Sequence, residues 1–216
     1  MNLNPFARRP IYGRDIALLM RDINRIEASL NADGNGAIDV VIVIDTSGSM
    51  SDVIGLVKRN VRYIFDEVIQ RTPGVHIGLV EQGDFYKDSV YHCQPTNDPS
   101  VFQAAINAFG ICGGSYEAYV DSLIMTVANT QWREGATRLV IIIGDEPADQ
   151  PAKSGKTWAG AIAESIAADV IVAMIIAKLS AELSCRTSFA QATEATGGVL
   201  FVAPTNDDVV NMIVLL

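Results

Sequence analysis

VIVIDTSGSMSDV, residues 41–53, begins with four β-branched residues, passes through Asp45 and continues with three serines. A continuous β-branched run is typical of a strand that is buried on both faces of a sheet. From residue 52 to residue 71 the apolar side chains follow a helical spacing instead. This stretch therefore predicts a core strand that ends at Asp45, a short serine-rich turn and a helix.

Apolar strands alternate with helices along the rest of the chain as well. Besides residues 38–44, the predicted strands are 75–82, 89–95, 138–145, 169–176 and 198–203. The predicted helices are 52–71, 100–109, 117–130, 158–168, 187–196 and 206–216. This order predicts an α/β fold: a doubly wound, Rossmann-like, mostly parallel six-stranded sheet with one antiparallel edge strand and helices on both faces.

The composition favours one domain with a large core, since 49% of the 216 residues are hydrophobic and only 19% are charged. Residues 14–30 carry a one-sided helical pattern, which the sequence NADGNG at residues 31–36 breaks. We therefore expect an N-terminal helical extension over residues 1–36 and a single domain over residues 37–216.

Charge and cysteine content exclude several classes of function and location. The net charge of −9 argues against a nucleic-acid-binding surface, which needs a concentrated basic patch. No apolar run is long enough to span a membrane, and no signal peptide is recognisable. The three cysteines are scattered and odd in number, which predicts free thiols in a reducing compartment. The cytoplasm is the expected location.

A metal site is predicted at the carboxyl edge of the sheet, where ligands bind in open α/β folds. Asp45 and Asp145 each end a predicted strand, and Ser47 and Ser49 follow Asp45 at alternate positions. Carboxylates and hydroxyls are hard oxygen ligands, suited to Mg²⁺, Mn²⁺ or Ca²⁺. Because the hydroxyls are neutral, they hold an ion without cancelling its charge. A carboxylate from a partner could then complete the coordination.

The serines also allow a purely structural interpretation, since serine is a preferred residue at the start of a helix. We expect one of Ser47, Ser49 and Ser51 to cap the helix that follows. Capping does not account for the aspartate that precedes the serines or for the second strand that ends in an aspartate.

These motifs resemble the von Willebrand factor type A (VWA) domain family. The similarity rests on VIVIDTSGSM, GGSYEA and LVIIIGDEP and extends from about residue 38 to the C-terminus. VHIGLVEQGDFYKD and GGSYEA look most like the subgroup found in hemicentins and next to alpha-kinases. The hallmark of the family is a metal-ion-dependent adhesion site, and the resemblance implies that Asp45, Ser47, Ser49 and Asp145 are its ligands here.

The third loop of the site departs from the family pattern. The family often has a threonine there, whereas the nearest hydroxyl in this chain is Ser115. The resemblance implies that Ser115 completes the site, with Glu117 as the alternative. Asp84, just past the second core strand, is expected either to support the ligands from behind or to be a solvated loop acid.

The resemblance implies a non-enzymatic module that binds the acidic side chain of a protein partner through Mg²⁺, or through Mn²⁺ or Ca²⁺. Two alternatives stay open. A metal-dependent phosphoester hydrolase would need cations near the site, and Lys153, Lys156 and Lys87 are the candidates. A metal-free scaffold subunit would keep the fold without the ion.

Overall fold

The computed structural model describes residues 11–12, 36–72, 74–84, 86–112 and 116–215. The helix that we predicted within residues 14–30 lies outside these ranges, so the boundary at residue 36 stays a prediction. Ser115 also lies outside them.

The described strands form one seven-stranded sheet in the order β1-β7-β6-β5-β2-β3-β4. Their bounds are Ile11–Tyr12 (β1), Ile38–Asp45 (β2), Val75–Gln82 (β3), Val90–Thr96 (β4), Thr137–Gly144 (β5), Val170–Ile176 (β6) and Leu200–Val202 (β7). All neighbouring strands are parallel except β3 and β4, which are antiparallel. The mostly parallel sheet with one antiparallel edge strand is therefore confirmed. The two-residue strand β1, which the sequence did not predict, extends the sheet beyond β7.

The helices in the described ranges connect these strands. Their bounds are Ser51–Arg71 (α1), Pro99–Asn107 (α2), Tyr119–Asn129 (α3), Trp158–Ala167 (α4), Glu182–Thr196 (α5) and Asn206–Leu215 (α6). Two helix starts differ from the prediction by more than one residue: α5 begins at residue 182 rather than 187, and α3 at residue 119 rather than 117. Both starts follow local turn geometry, to which the apolar spacing is insensitive.

Strand β2 lies in the middle of the sheet, paired with β3 on one side and with β5 on the other. Its alternate residues face opposite ways. Val40, Ile42 and Ile44 pack in one apolar cluster, and Val41 and Val43 in the other. This explains why the run is apolar throughout: neither face of β2 meets water.

Helices cover both faces of the sheet. Helices α1, α2 and α6 contribute Val61, Ile106 and Met212 to the first cluster. Helices α3 and α5 contribute Leu123 and Phe189 to the second. The doubly wound arrangement is thus confirmed, and it leaves the carboxyl ends of the parallel strands as an accessible edge.

The opposite edge of the sheet is closed around Asp39, near the start of β2, whose side chain is fully buried. Arg133 Nε donates to Asp39 Oδ1 at 2.7 Å, and the Arg133 backbone N–H donates to Oδ2 at 2.6 Å. The same guanidinium donates through Nη2 to the carbonyls of Ile38 and Gly74, each at 2.8 Å. One arginine therefore ties the start of β2 to the loops before β3 and β5.

All three cysteines, Cys93, Cys112 and Cys185, are buried free thiols, as predicted. Among the residues that the structure describes, no helix combines the length and the apolar character needed to cross a bilayer.

Candidate metal centre

Asp45 and Asp145 lie side by side at the carboxyl edge of the sheet. Asp45 is the last residue of β2, and Asp145 directly follows β5. The two strands are parallel neighbours in a register that pairs Ile44 with Ile143, so their ends coincide. Both aspartates are buried. The predicted meeting of these two side chains is present.

The serine turn joins the two aspartates through a chain of hydrogen bonds. The Ser47 N–H donates to Asp45 Oδ1 at 2.8 Å, and the Ser47 and Ser49 hydroxyls are 2.9 Å apart. The Ser49 hydroxyl donates to Asp145 Oδ1 at 3.0 Å. Four of the five residues predicted as metal ligands therefore form one contiguous group of oxygen atoms.

The prediction that a serine caps the following helix is wrong. A 3₁₀ turn, Gly48–Met50, stands between the strand and the helix, so the residue at the cap position of α1 is Met50. Neither the turn, which is preceded by Ser47, nor α1 has a side-chain cap hydrogen bond. The turn leaves Ser47 and Ser49 outside α1, whose first residue is Ser51. The hydroxyls of Ser47 and Ser49 are consequently directed toward each other and toward Asp145.

Tyr119, which sequence reasoning missed, holds the second oxygen of Asp45. Its hydroxyl donates to Asp45 Oδ2 at 3.2 Å, and its fully buried ring packs edge-on against Phe189 at 5.6 Å. The contact requires a glycine at position 144, because a Cβ there would lie 1.8 Å from the Tyr119 hydroxyl oxygen. A glycine inside a buried strand was the available signal, since it often marks a close approach.

Glu117 is buried beside Asp45, in the loop that precedes α3. Its carboxyl group is hydrogen bonded to that of Asp45. Its Oε2 atom is buried and has no hydrogen-bond partner among the described residues. Burial and the negative charge of Asp45 raise the pKa of Glu117 to about 9. Burial and the charge of Asp145 raise the pKa of Asp45 to about 6, although the Ser47 N–H opposes this. The pair thus favours a proton, or another cation, between its carboxylates.

Asp84 was expected either to support the ligands from behind or to be a solvated loop acid, and the structure rules out the solvated acid. It is only 4% exposed, and its Oδ1 accepts hydrogen bonds from the N–H groups of Tyr86 at 2.7 Å and Lys87 at 2.6 Å. Its backbone forms a β-bridge with Glu117. Asp84 therefore shapes its loop and adds negative charge behind Glu117.

Lys178 reaches the site from the end of β6, and sequence reasoning missed it too. Its Nζ donates to Asp145 Oδ2 at 2.7 Å and also to the backbone carbonyl of Ser49. Strands β5 and β6 are parallel neighbours, so a side chain just past β6 can reach the end of β5. The signal was a lysine two residues past the end of a fully apolar strand.

The donor set fits a hard divalent cation, provided that hydroxyls take part. Within the described ranges, no three His, Cys, Asp or Glu side chains are grouped so as to hold an ion by themselves. Asp45 and Asp145 would need Ser47 and Ser49 beside them. The buried, unpartnered Oε2 of Glu117 supplies a further oxygen. Carboxylate and hydroxyl oxygens of this kind suit Mg²⁺ or Mn²⁺.

Solved structures with the same fold share little sequence with the chain. Proximal thread matrix protein 1 from the mussel byssus, solved with a zinc-occupied MIDAS motif, has a TM-score of 0.61 at 15% identity. That match covers 83% of this chain but only 45% of the mussel protein. The conserved hypothetical protein BatB from Bacteroides thetaiotaomicron has a TM-score of 0.56 at 15% identity, covering 82% of this chain and 97% of BatB. The SpRpn10 VWA domain has a TM-score of 0.56 at 17% identity, covering 82% of this chain and 94% of that domain.

A search of curated proteins found no match. The family model described as the von Willebrand factor type A domain matches residues 40–147, which is half of the chain. The matched part begins in β2 and ends just past Asp145, so it contains the serine turn, both aspartates and Glu117. The solved structures agree with it at the level of the fold. The chain therefore belongs to the von Willebrand factor type A domain family.

Proposed function

We propose that this VWA domain is a metal-dependent protein-interaction module. Asp45, Ser47, Ser49 and Asp145 hold Mg²⁺ or Mn²⁺, and an acidic side chain of a protein partner completes the coordination. The observation that carries the proposal is the contiguous group of oxygen atoms that Asp45, Ser47, Ser49 and Asp145 form at the carboxyl edge of the sheet. Carboxylate and hydroxyl oxygens grouped in this way suit a hard divalent cation.

The charge balance favours an acidic ligand. Asp45 and Asp145 together neutralise a divalent ion, and Lys178 adds one positive charge within 2.7 Å of Asp145. The serine hydroxyls add none. If the neutral Ser115 is the remaining ligand, the centre keeps a positive charge that a partner carboxylate can neutralise. If Glu117 binds the ion in its charged form, that excess is lost. The proposal therefore includes Ser115 as a ligand, with Glu117 as its competitor.

The surface around the site fits a protein partner. Large apolar side chains are exposed on the loops at the same edge and on the first turn of α5: Ile111 (53%), Tyr116 (44%), Leu179 (50%) and Leu183 (91%). The backbone N–H of Cys112, next to Ile111, donates to the Thr46 carbonyl of the serine turn at 2.8 Å. Apolar side chains around a charged centre are typical of surfaces that bind other proteins.

Family and neighbours support the same proposal. VWA domains are in general protein-interaction modules rather than enzymes. The mussel protein, with its zinc-occupied MIDAS motif, is a precedent for a divalent ion on this fold. The similarity to the subgroup found in hemicentins and next to alpha-kinases is part of the proposal. A cytoplasmic location is another part, and the three buried free thiols support it.

The metal site is tested with the ion alone. Mg²⁺ and Mn²⁺ should raise the melting temperature of the wild type, because an ion that binds only the folded state adds about 2.7 kcal/mol at a hundred times its Kd. Asp45→Ala should abolish the shift. Asp149→Ala, which removes an exposed acid from the loop that follows Asp145, is the matched control and should keep it. The same melting temperature with and without millimolar Mg²⁺ or Mn²⁺ in the wild type would refute the metal site.

The phosphoester-hydrolase alternative loses its main support. Each lysine that could have bound a phosphate is paired with an acid of the chain itself: Lys87 with Glu81, Lys153 with Asp88 and Lys156 with Glu164. Turnover of a generic phosphoester that Asp45→Ala abolishes would restore this alternative.

The metal-free scaffold has one observation in its favour, the ion pair of Lys178 with Asp145. An ammonium group in this position already balances one of the two aspartates. A pull-down with and without chelator separates the two functions. Partners that stay bound in EDTA, and that Asp45→Ala also retains, would indicate a metal-free scaffold.

A further inference from the structure

Lys178 occupies the one side of the metal centre that faces β6. Its Nζ donates to Asp145 Oδ2 at 2.7 Å and to the Ser49 carbonyl, while Asp145 Oδ1 accepts from the Ser49 hydroxyl at 3.0 Å. Both oxygens of Asp145 therefore have hydrogen-bond partners within the chain. The lysine is held on the same turn that supplies Ser47 and Ser49 to the site.

The ammonium group of Lys178 is placed where it must oppose a divalent ion. Two cations that bind to one carboxylate are about 6 Å apart, and Coulomb's law at the dielectric constant of water then weakens the binding of a divalent ion about tenfold. The Lys178 side chain is 31% exposed, whereas that of Asp145 is 5% exposed. Asp145 therefore cannot leave the site, and the ammonium group that pairs with it stays close enough to a bound ion to repel it.

We propose that Lys178 is a built-in competitor of the metal ion, which neutralises Asp145 in the metal-free protein and sets the cation affinity of the site. This inference rests on the metal site of the proposed function and goes beyond it. It names a residue that does not bind the metal but sets the ion concentration at which the site is filled. If Lys178 competes with the ion, its removal strengthens metal binding. If Lys178 only fixed the position of Asp145, its removal would weaken metal binding.

The experiment measures metal binding alone, by calorimetry with Mg²⁺ and by the loss of the free Mn²⁺ spectrum in electron paramagnetic resonance. Lys178→Gln removes the charge and keeps a polar side chain of similar length. Lys178→Arg keeps the charge. Lys156→Gln removes the same charge from a lysine of another loop that pairs with Glu164, and is the matched control.

We expect Lys178→Gln to bind both ions about tenfold more tightly than the wild type. Lys178→Arg and Lys156→Gln should bind them about as the wild type does. Circular dichroism and melting curves in EDTA verify that each variant is folded. If Lys178→Gln unfolds, Lys178→Met, which has no charge and no hydrogen-bond donor, replaces it in the same comparison.

The outcomes separate this inference from the proposed function. Equal or weaker binding by folded Lys178→Gln, with a wild type that binds the ion, overturns the role of Lys178 and leaves the metal site intact. Binding by Lys178→Gln together with no measurable binding by the wild type supports the inference and overturns the metal-dependent function. If neither protein binds Mg²⁺ or Mn²⁺, both are overturned.

Discussion

Replacing Glu117 by glutamine should stabilise the metal-free protein. The Glu117 carboxyl is 5% exposed, contacts the carboxyl of Asp45 and lies near Asp84. Burial and these negative charges raise its pKa to about 9 from an ordinary value near 4.5. A glutamine has the same shape and no charge, and its amide can donate to Asp45 as the protonated Glu117 does.

The size and sign of the effect follow from proton linkage. Between about pH 4.5 and pH 9 the folded wild type holds a proton that the unfolded chain has released, so its stability falls as pH rises through this window. From about pH 4.5 to pH 7.5 the wild type loses about 1.4 kcal/mol of stability for each of the three pH units. The raised pKa of Glu117 therefore destabilises the wild type at pH 7.5 by about 4 kcal/mol at most. We expect Glu117→Gln to be about 2–4 kcal/mol more stable at that pH and no more stable than the wild type below pH 4.5.

Urea unfolding in EDTA at pH 5 and at pH 8 measures this difference. Asp149→Asn is the control, because Asp149 is exposed and lies in the loop that follows Asp145. Adding Mg²⁺ should stabilise the wild type and close part of the gap to Glu117→Gln. This prediction would be refuted if Glu117→Gln is no more stable than the wild type at pH 8, or if its gain in stability is the same at both pH values. Either result would show that the pKa of Glu117 is not raised by burial and by the neighbouring negative charges.

Two further predictions concern stability in EDTA. Arg133→Ala should lower the free energy of unfolding by about 3–5 kcal/mol in urea titrations, because it leaves the fully buried Asp39 without its ion pair. Arg133→Lys, which keeps the positive charge, should lose less. A loss below about 1 kcal/mol for the alanine variant would contradict this prediction. Gly144→Ala should cost about 1–3 kcal/mol, since its Cβ would lie 1.8 Å from the Tyr119 hydroxyl. Adding Tyr119→Phe should recover only part of that loss, because the Cβ at position 144 would still lie 2.8 Å from the ring carbon Cζ. If the effects of the two substitutions are additive in a double-mutant cycle, the clash is ruled out.

The architecture was predictable because it depends on patterns that are local in the chain. The apolar run of β2 predicts a strand buried on both faces, and the helical spacing after it predicts α1. Their alternation predicts a parallel sheet, which in turn places Asp45 and Asp145 at one edge. Each step uses residues close in sequence together with a general rule of sheet topology.

The starts of helices were less predictable, because they depend on turn geometry. A 3₁₀ turn stands directly before α1, which begins at Ser51, and another, Leu179–Ala181, stands directly before α5, which begins at Glu182. Apolar spacing does not reveal such turns. The turn before α1 places Met50 at the cap position, so no serine caps the helix, and the hydroxyls of Ser47 and Ser49 are available to the site.

By itself, the sequence determined the strands β2 to β7, their alternation with helices along the chain, and the carboxylate and hydroxyl groups at the ends of β2 and β5. Only the tertiary structure decided what surrounds those groups. Tyr119 meets Asp45 across 74 residues, and Lys178 meets Asp145 across 33. These contacts depend on the register of neighbouring strands and on the glycine at position 144, neither of which a local pattern specifies. That packing also brings the buried carboxyl group of Glu117 and the ammonium group of Lys178 to the site, and in our proposal both groups influence its affinity for a cation.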